Sequence, residues 1–441
     1  MFKKNVFHFQ NYYLFIFLFS FLFLNLGISI FYIFIFLFFI YNVVNKKLSV
    51  NIENKYFFLI LFYFIFISLF QLPNEKFNLN FLLKQFLIFK FFFLFWYLST
   101  QIKNFQKVNS SVKLVFYFII FLIADVYLQR FFNFEIFGNK VIYDRILGPY
   151  KQMVIGSIIL YLGFYGFFHF LVIAKFEKNI QNLFFFIFLF NFYFFSIFCT
   201  GERMNFLLCL LAIFLMFLFM KKFRLKIIIS SLIMFLLILL TLNKNESLGT
   251  KYSNFARILN LPLIKIFQSE QNYQLKQNNK TKQTKDVSNS NIKNFHLVHW
   301  LTAFEIWKDK PLIGGGIKSF RWNCENYDHI DHFALEGRCN THPHNIYLEI
   351  LSETGVVGLI LIILFFFKNL PNLNKIFLFS LDSFTKEHKS QLFISFLIIF
   401  ILLIWPLKTS GRLFSNFYGT IFWFNCFSLI YILKNFNKKD T

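Results

Sequence analysis

Apolar runs near twenty residues long recur along almost the whole chain, separated by short lysine-rich loops. That is the length a helix needs to cross the roughly 30 Å hydrocarbon core of a bilayer. Lipid offers no hydrogen-bond partners, so a spanning segment must satisfy its own backbone, and helices are the expected element. Composition agrees: 57% of residues are hydrophobic and 15% charged, against roughly a quarter charged in a soluble domain. The chain therefore reads as all-α, a polytopic integral membrane protein with about twelve transmembrane helices. The spans are expected near 12–25, 28–44, 56–71, 81–99, 112–129, 152–174, 183–200, 205–220, 226–242, 346–367, 391–407 and 413–433, with Asn25–Gly27 a weak separator of the first two. The 76 phenylalanines are expected to fill lipid-facing positions. Lys3 and Lys4 precede a first apolar run without a small-residue cleavage site, so that run reads as a retained signal anchor.

The net charge is +24. Nucleic-acid binding would need a basic soluble face, and here the lysines sit in loops between apolar runs, where positive charge sets topology. No nucleic-acid partner is expected. Starting inside, the lysine-rich loops "NKKLSVNIENK", "QIKNFQKVNSSVK", "KFEKNIQN", "KKFRLK" and "KNLPNLNK…KEHK" and the tail "KNFNKKDT" all fall on the cytoplasmic side. The organisation follows: residues 1–242 form an N-terminal set of spans, 243–345 one long periplasmic loop, and 346–441 a C-terminal set. Within the loop, 269–294 has too few apolar residues to fold alone and reads as a flexible arm.

Arginine is distributed differently. Of eight arginines, only Arg224 falls in a loop read as cytoplasmic; Arg130, Arg145, Arg203, Arg257, Arg321, Arg338 and Arg412 fall on the opposite side. Guanidinium binds phosphate through a planar fork, where lysine is a point charge. Several arginines at one boundary point to an anionic lipid head, most simply a phosphate or diphosphate; loop solubility or ion pairing is the plain alternative. Arg203 stands out, since "TGERM" wedges Glu202 and Arg203 between two spans, with Glu202 placed to orient or neutralise it. Asp125 and Lys90 lie within spans, although a shifted helix boundary would explain Lys90 equally well.

In the long loop, Cys324 and Cys339 bracket fourteen residues. A disulfide is permitted outside the cytoplasm. A metal site drawn from Cys324, His329, His332, Cys339, His342 and His344, or free thiols, are the other readings; the spacing matches no standard zinc pattern. The segment then runs "THPHNIYLEILSETGVVG" straight into an apolar helix. Pro343 suits a first helical turn, which starts the helix within a residue or two of His344. At 100° per residue, His344, Leu348, Leu351, Gly355 and Gly358 share one stripe, and the glycines would let this helix press against neighbours. A neutral imidazole at that mouth can take a proton from a hydroxyl. Helix capping or lipid-head binding are the plain roles, and His342 is the alternative base.

His-Asn, nine residues, Gly, two residues, Gly resembles the signature of the O-antigen ligase and polymerase superfamily (the Wzy-C type). The upstream "HWLTAFEIWKDKPLIGGGIKSFR" is similar to the family's segment before its signature, and "DRILGPYKQ" and "TGERMNFL" sit where the family has polar outer segments with an arginine. The resemblance covers roughly residues 140–430; Glu202 departs from the Ser that many relatives carry. It implies a metal-independent glycosyltransferase of the bacterial inner membrane, its active site facing the periplasm, acting in lipopolysaccharide or other surface polysaccharide assembly. The donor would be a glycan on a polyprenyl (undecaprenyl) diphosphate. The acceptor would be a sugar hydroxyl, on lipid A–core in an O-antigen ligase or on another glycan in a polymerase. The resemblance makes His344 the general base and Asn345 its orienter or the acceptor's. Arg203, Arg145, Arg257 and Arg321 would bind the diphosphate. No cofactor and no metal are expected. A membrane transporter is the alternative of another class, but transporters gather polar residues near the midplane, whereas here they crowd at one boundary.

Overall fold

The computed structural model describes residues 13–45, 55–70, 87–101, 105–137, 139, 141–142, 144–150, 154–173, 180–258, 295–326, 339–370, 388–408 and 412–437. Their regular elements are helices, with no strand among the described residues. In chain order the helices are α1 Tyr13–Ser20, α2 Leu24–Val44, α3 Lys55–Phe70, α4 Lys90–Gln101 and α5 Phe105–Phe132. Then α6 runs from Ile155–Ile158 through a π turn, Ile159–Gly163, into Phe164–Ile173. Next come α7 Ile180–Cys199, α8 Arg203–Phe219, α9 Arg224–Lys244, α10 Glu246–Ile258 and α11 Phe295–Asp309. The last are α12 Phe320–Asn323, α13 Ile346–Asn369, α14 His388–Leu403 and α15 Phe417–Asn437.

Among the described residues, five stretches are long and apolar enough to cross a membrane: Phe15–Val44, Ser111–Phe132, Gln181–Cys199, Lys221–Lys244 and Ile346–Asn369. Six shorter apolar helices accompany them. Several sequence boundaries shift. The first two segments are separated at Phe21–Leu24 rather than Asn25–Gly27: Leu24 has φ 52°, and the chain folds back so that Phe17 and Phe31 approach to 4.7 Å. Lys90 follows a helical turn, Leu87–Phe89, at the start of α4, and its Nζ donates to Asn416 Oδ1 at 2.9 Å. The described part of the long connection near 243–345 carries three α-helices, α10 to α12; the arm 269–294 lies outside the described residues.

Phenylalanine does more than face lipid. Exposed rings such as Phe62, Phe132 and Phe188 do occur, but Phe17, Phe57, Phe91, Phe167 and Phe194 are buried. Phe57 contacts Phe95 at 4.6 Å and Phe427 at 4.9 Å, tying α3, α4 and α15 together. Edge-to-face and offset ring pairs are favourable beyond the area they bury, so an aromatic-rich chain can weld a bundle where no hydrophobic effect between helices is available.

Two irregularities shape the polar end of the bundle. In α6 the π turn frees carbonyls that a regular helix would use, and Tyr193 of α7 caps them: its hydroxyl donates to Ile159 O at 2.6 Å and Leu160 O at 3.2 Å. In α13, Gly355 is non-helical at φ 66°, ψ −173°. The segment 311–316 docks in that break. Val356 N donates to Pro311 O at 2.9 Å and Val357 N to Leu312 O at 3.2 Å, while Gly315 N and Gly316 N donate to Ser352 O and Glu353 O at 2.8 and 2.9 Å. Four backbone groups at the break are thus answered by the loop, and the Tyr63 hydroxyl donates to Thr354 O at 2.7 Å, as burial demands. A Cβ on Gly355 would lie 2.2 Å from Leu312 O. The expected stripe from His344 to Gly358 is therefore interrupted. Gly358 keeps a seating role, with Tyr63 of α3 at 3.2 Å from where its Cβ would be.

Candidate active site

The turn between α7 and α8 is built by close backbone approach. Gly201 has φ 74°, and a Cβ there would lie 2.1 Å from Asp144 O. Ile146 N donates to Thr200 O at 3.0 Å. Arg130, at the end of α5, donates through Nε to Cys199 O at 2.9 Å and through Nη2 to Asp144 O at 3.1 Å. These contacts fold the 141–150 segment onto the α7–α8 turn and bring Arg145 to Arg203. Glu202 does not serve as Arg203's counter-charge alone: its carboxylate accepts from Gly156 N at 2.8 Å and from the Asn205 amide. Burial pushes that carboxyl up to about 7, against the pull of the Gly156 N–H and of Arg145. Lys251 of α10 joins the group. Burial, then Arg145, Arg203 and Arg130, depress its ammonium to about 8, with Asp144 opposing. Four cations acting on one another around a single turn make a place where an anion is strongly favoured.

The second half forms at the N-terminus of α13. Asn345 is its N-cap: Oδ1 accepts from Tyr347 N at 3.0 Å and Leu348 N at 3.2 Å, and Nδ2 donates to Pro406 O at 2.9 Å. It therefore caps and starts the helix. Pro343 precedes the cap by two residues and lies outside the helix, not in its first turn. His344 adopts φ 59°, a left-handed conformation that costs a non-glycine residue about 1–3 kcal/mol. The ring lies against His296 and His299 of α11. Its Nε2 accepts from Asn340 Nδ2 at 3.0 Å, and the amide's orientation is fixed because Asn340 Oδ1 takes Thr341 N at 2.6 Å. A donor on Nε2 means that this nitrogen carries a lone pair.

His342 is committed elsewhere. Its Nε2 accepts from Arg412 Nε at 3.1 Å and its Nδ1 meets Thr341 Oγ1 at 3.2 Å. Burial first, then Arg412 and the neighbouring histidines, hold its imidazole well below the usual range. Both its nitrogens have polar partners. Two buried carboxylates brace the surroundings: Glu349 accepts from Leu413 N at 2.7 Å, beside Arg412, and Glu353 from Lys318 N at 2.6 Å, near Arg321. Arg321 Nη2 reaches Thr341 O at 3.5 Å. Cys324 and Cys339 are joined in a disulfide with Cα atoms 5.3 Å apart, tying α12 to the strand of chain that carries Asn340 and His342.

Three residues that the sequence reading did not single out enter here. His296 and His299, on one face of α11, place their rings 4.9 and 5.2 Å from His344. Lys408, buried, lies 4.7 Å over the Tyr161 ring, and burial lowers it to about 7. His296 links the two halves: burial first, then His299, Arg145 and Arg203, lower its imidazole. Asp125 stays apart, buried against Gln129 and the 148 turn. Arg257 lies in α10 with its side chain outside the described residues, as do Arg338, His329 and His332.

An all-helical membrane protein whose arginines and histidines meet at helix ends defines the class. Residues 184–363 match the family model described as O-antigen ligase. That stretch, less than half of the chain, is similar to the O-antigen ligase family. The match runs from α7 into α13, so it includes Arg203, His296, His299, His344, Gly355 and Gly358, while Arg145 and Arg412 lie outside it. No curated protein matches the chain.

Proposed function

We propose that the chain moves a glycan from a polyprenyl diphosphate to a sugar hydroxyl, as an O-antigen ligase acting on lipid A–core, from about twelve spans in the bacterial inner membrane with the site on the periplasmic side. The observation that carries this is the pairing of a lone-pair-bearing His344 with a cluster of cations on the adjacent turn. In this reading the acceptor hydroxyl replaces the Asn340 amide at His344 Nε2 and gives up its proton there. Its oxygen bonds to the sugar's anomeric carbon as the bond from that carbon to the phosphate oxygen breaks. The electron pair leaves with the polyprenyl diphosphate. Arg145, Arg203 and Lys251 hold the departing charge, with Arg321 and Arg412 on the acceptor side. Cations fixed in a poorly solvated site can do this without a resident metal. Glu202, Glu349 and Glu353 position backbone and take no proton from substrate.

The test is transfer in proteoliposomes holding lipid-linked glycan and lipid A–core, read on gels. Wild type should build long-chain lipid A–core, and His344→Ala should not, although it inserts normally. Long chains at the wild-type level in that variant would sink the mechanism. Longer lipid-linked polymer with unmodified lipid A–core would instead make the protein a polymerase. Counterflow of a solute that survives His344→Ala would make it a transporter.

A further inference from the structure

We propose that His296, His299 and His344 form a site for a divalent transition cation of the zinc class, and that loading it blocks the site's chemistry. One ligand nitrogen from each ring falls within 4.8 Å of the others. Nitrogens on a tetrahedral zinc, each about 2.0–2.1 Å from the metal, are separated by about 3.4 Å. Small rotations of three imidazoles, two of them on the same helix face three residues apart, supply the contraction. His296 Nδ1 is buried and meets no hydrogen-bond partner among the described residues, which is what an unloaded ligand nitrogen looks like.

The donor set selects the metal. Three imidazoles with no carboxylate suit zinc, cobalt, nickel or copper, whereas magnesium and calcium require oxygen donors. The surroundings limit the affinity. Arg145 and Arg203 act on His296, and Arg412 and Arg321 act on the neighbouring His342. That positive field opposes a second cation, so the metal comes and goes and is not a resident cofactor. A metal on His344 takes the lone pair a hydroxyl's proton needs. Competition with transfer rests on the reading of His344 as the base; the binding site itself does not.

The experiment uses the full chain in nanodiscs. Cobalt is titrated in and its visible d–d absorption recorded; zinc is added to transfer assays and to thermal melts. Wild type should develop a tetrahedral cobalt spectrum and gain thermal stability with zinc, and magnesium should do neither. His296→Gln and His299→Gln should each weaken cobalt binding by more than the roughly 10- to 100-fold that loss of an outer-shell partner costs. Two variants guard against one that misfolds, and an unchanged melting temperature without metal certifies each. Zinc should suppress wild-type transfer and leave the His299→Gln variant's transfer, at whatever level it runs, unaffected. No cobalt spectrum in wild type, or an equal one in both variants, overturns the site. Zinc-loaded wild type transferring at the metal-free rate overturns the competition alone. Full transfer by His344→Gln overturns the base and leaves the cobalt result to stand by itself.

Discussion

The two halves of the site reach the same boundary by opposite routes. The arginine half is assembled by backbone: Gly201 against Asp144 O, Ile146 on Thr200 O, and Arg130 clasping two carbonyls. The histidine half is assembled by side chains drawn from α11, the 339–345 segment and Arg412, with buried carboxylates holding the loops behind it. The difference matches the tasks proposed for them. Charge stabilisation tolerates small shifts of several cations, because Coulomb energy falls slowly with distance. Proton transfer does not, because a hydrogen bond fails within a few tenths of an ångström. Left-handed backbone occurs in both halves, at His344 and Lys318 in the one and at Asp144 in the other.

Substitutions can break that contrast. The largest effect is expected from His344→Gln, which should lower turnover about 10²- to 10⁴-fold, the usual worth of a general base, with little change in KM for the lipid-linked donor. Gly355→Ala comes next. The side chain would meet Leu312 O in a conformation that already disfavours it, so the yield of folded protein in detergent should collapse, while Gly358→Ala, opposed mainly by the Thr354 side chain and Tyr63, should lose less. Arg203→Lys should show the reverse kinetic pattern to His344→Gln: a KM for the donor raised about tenfold as the two-point grip is lost, measured by initial rates. A fall in turnover alone would merge the two halves' roles. Asn345→Ala is expected to matter least, lowering the melting temperature by the equivalent of about 1 kcal/mol for a lost cap. Asn345→Ser should restore most of it. An Asn345→Ala loss as large as that of His344→Gln would mean that Asn345 touches substrate after all.

Much of this was legible from the residues. The apolar period marks α13 to within a residue or two at each end, and Pro343 places His344 beside its start, although the proline lies just outside the helix and Asn345 is the residue that caps it. The arginine asymmetry brings out Arg145 and Arg203, which the fold puts together. Other parts left no signal. His296 and His299 come from a helix 45 residues upstream of His344, and nothing in "HLVHW" says which way that helix faces. Gly355 reads as a small residue for packing, since a positive φ is invisible to helical periodicity. Asn340 looks like any loop polar residue until its amide is seen on His344. The phenylalanines mislead for a different reason: lipid and a protein interior are both apolar, so composition cannot divide them.

The break at Gly355 also carries a timetable. The partners of Val356 N and Val357 N, Pro311 and Leu312, are synthesised before α13 leaves the ribosome, so the break can close as soon as that helix emerges. Arg412, which fixes His342, comes some fifty residues later. During synthesis the break at Gly355 can thus be closed while His342 still lacks its Arg412 partner, so the scaffold around α13 precedes the completed histidine half.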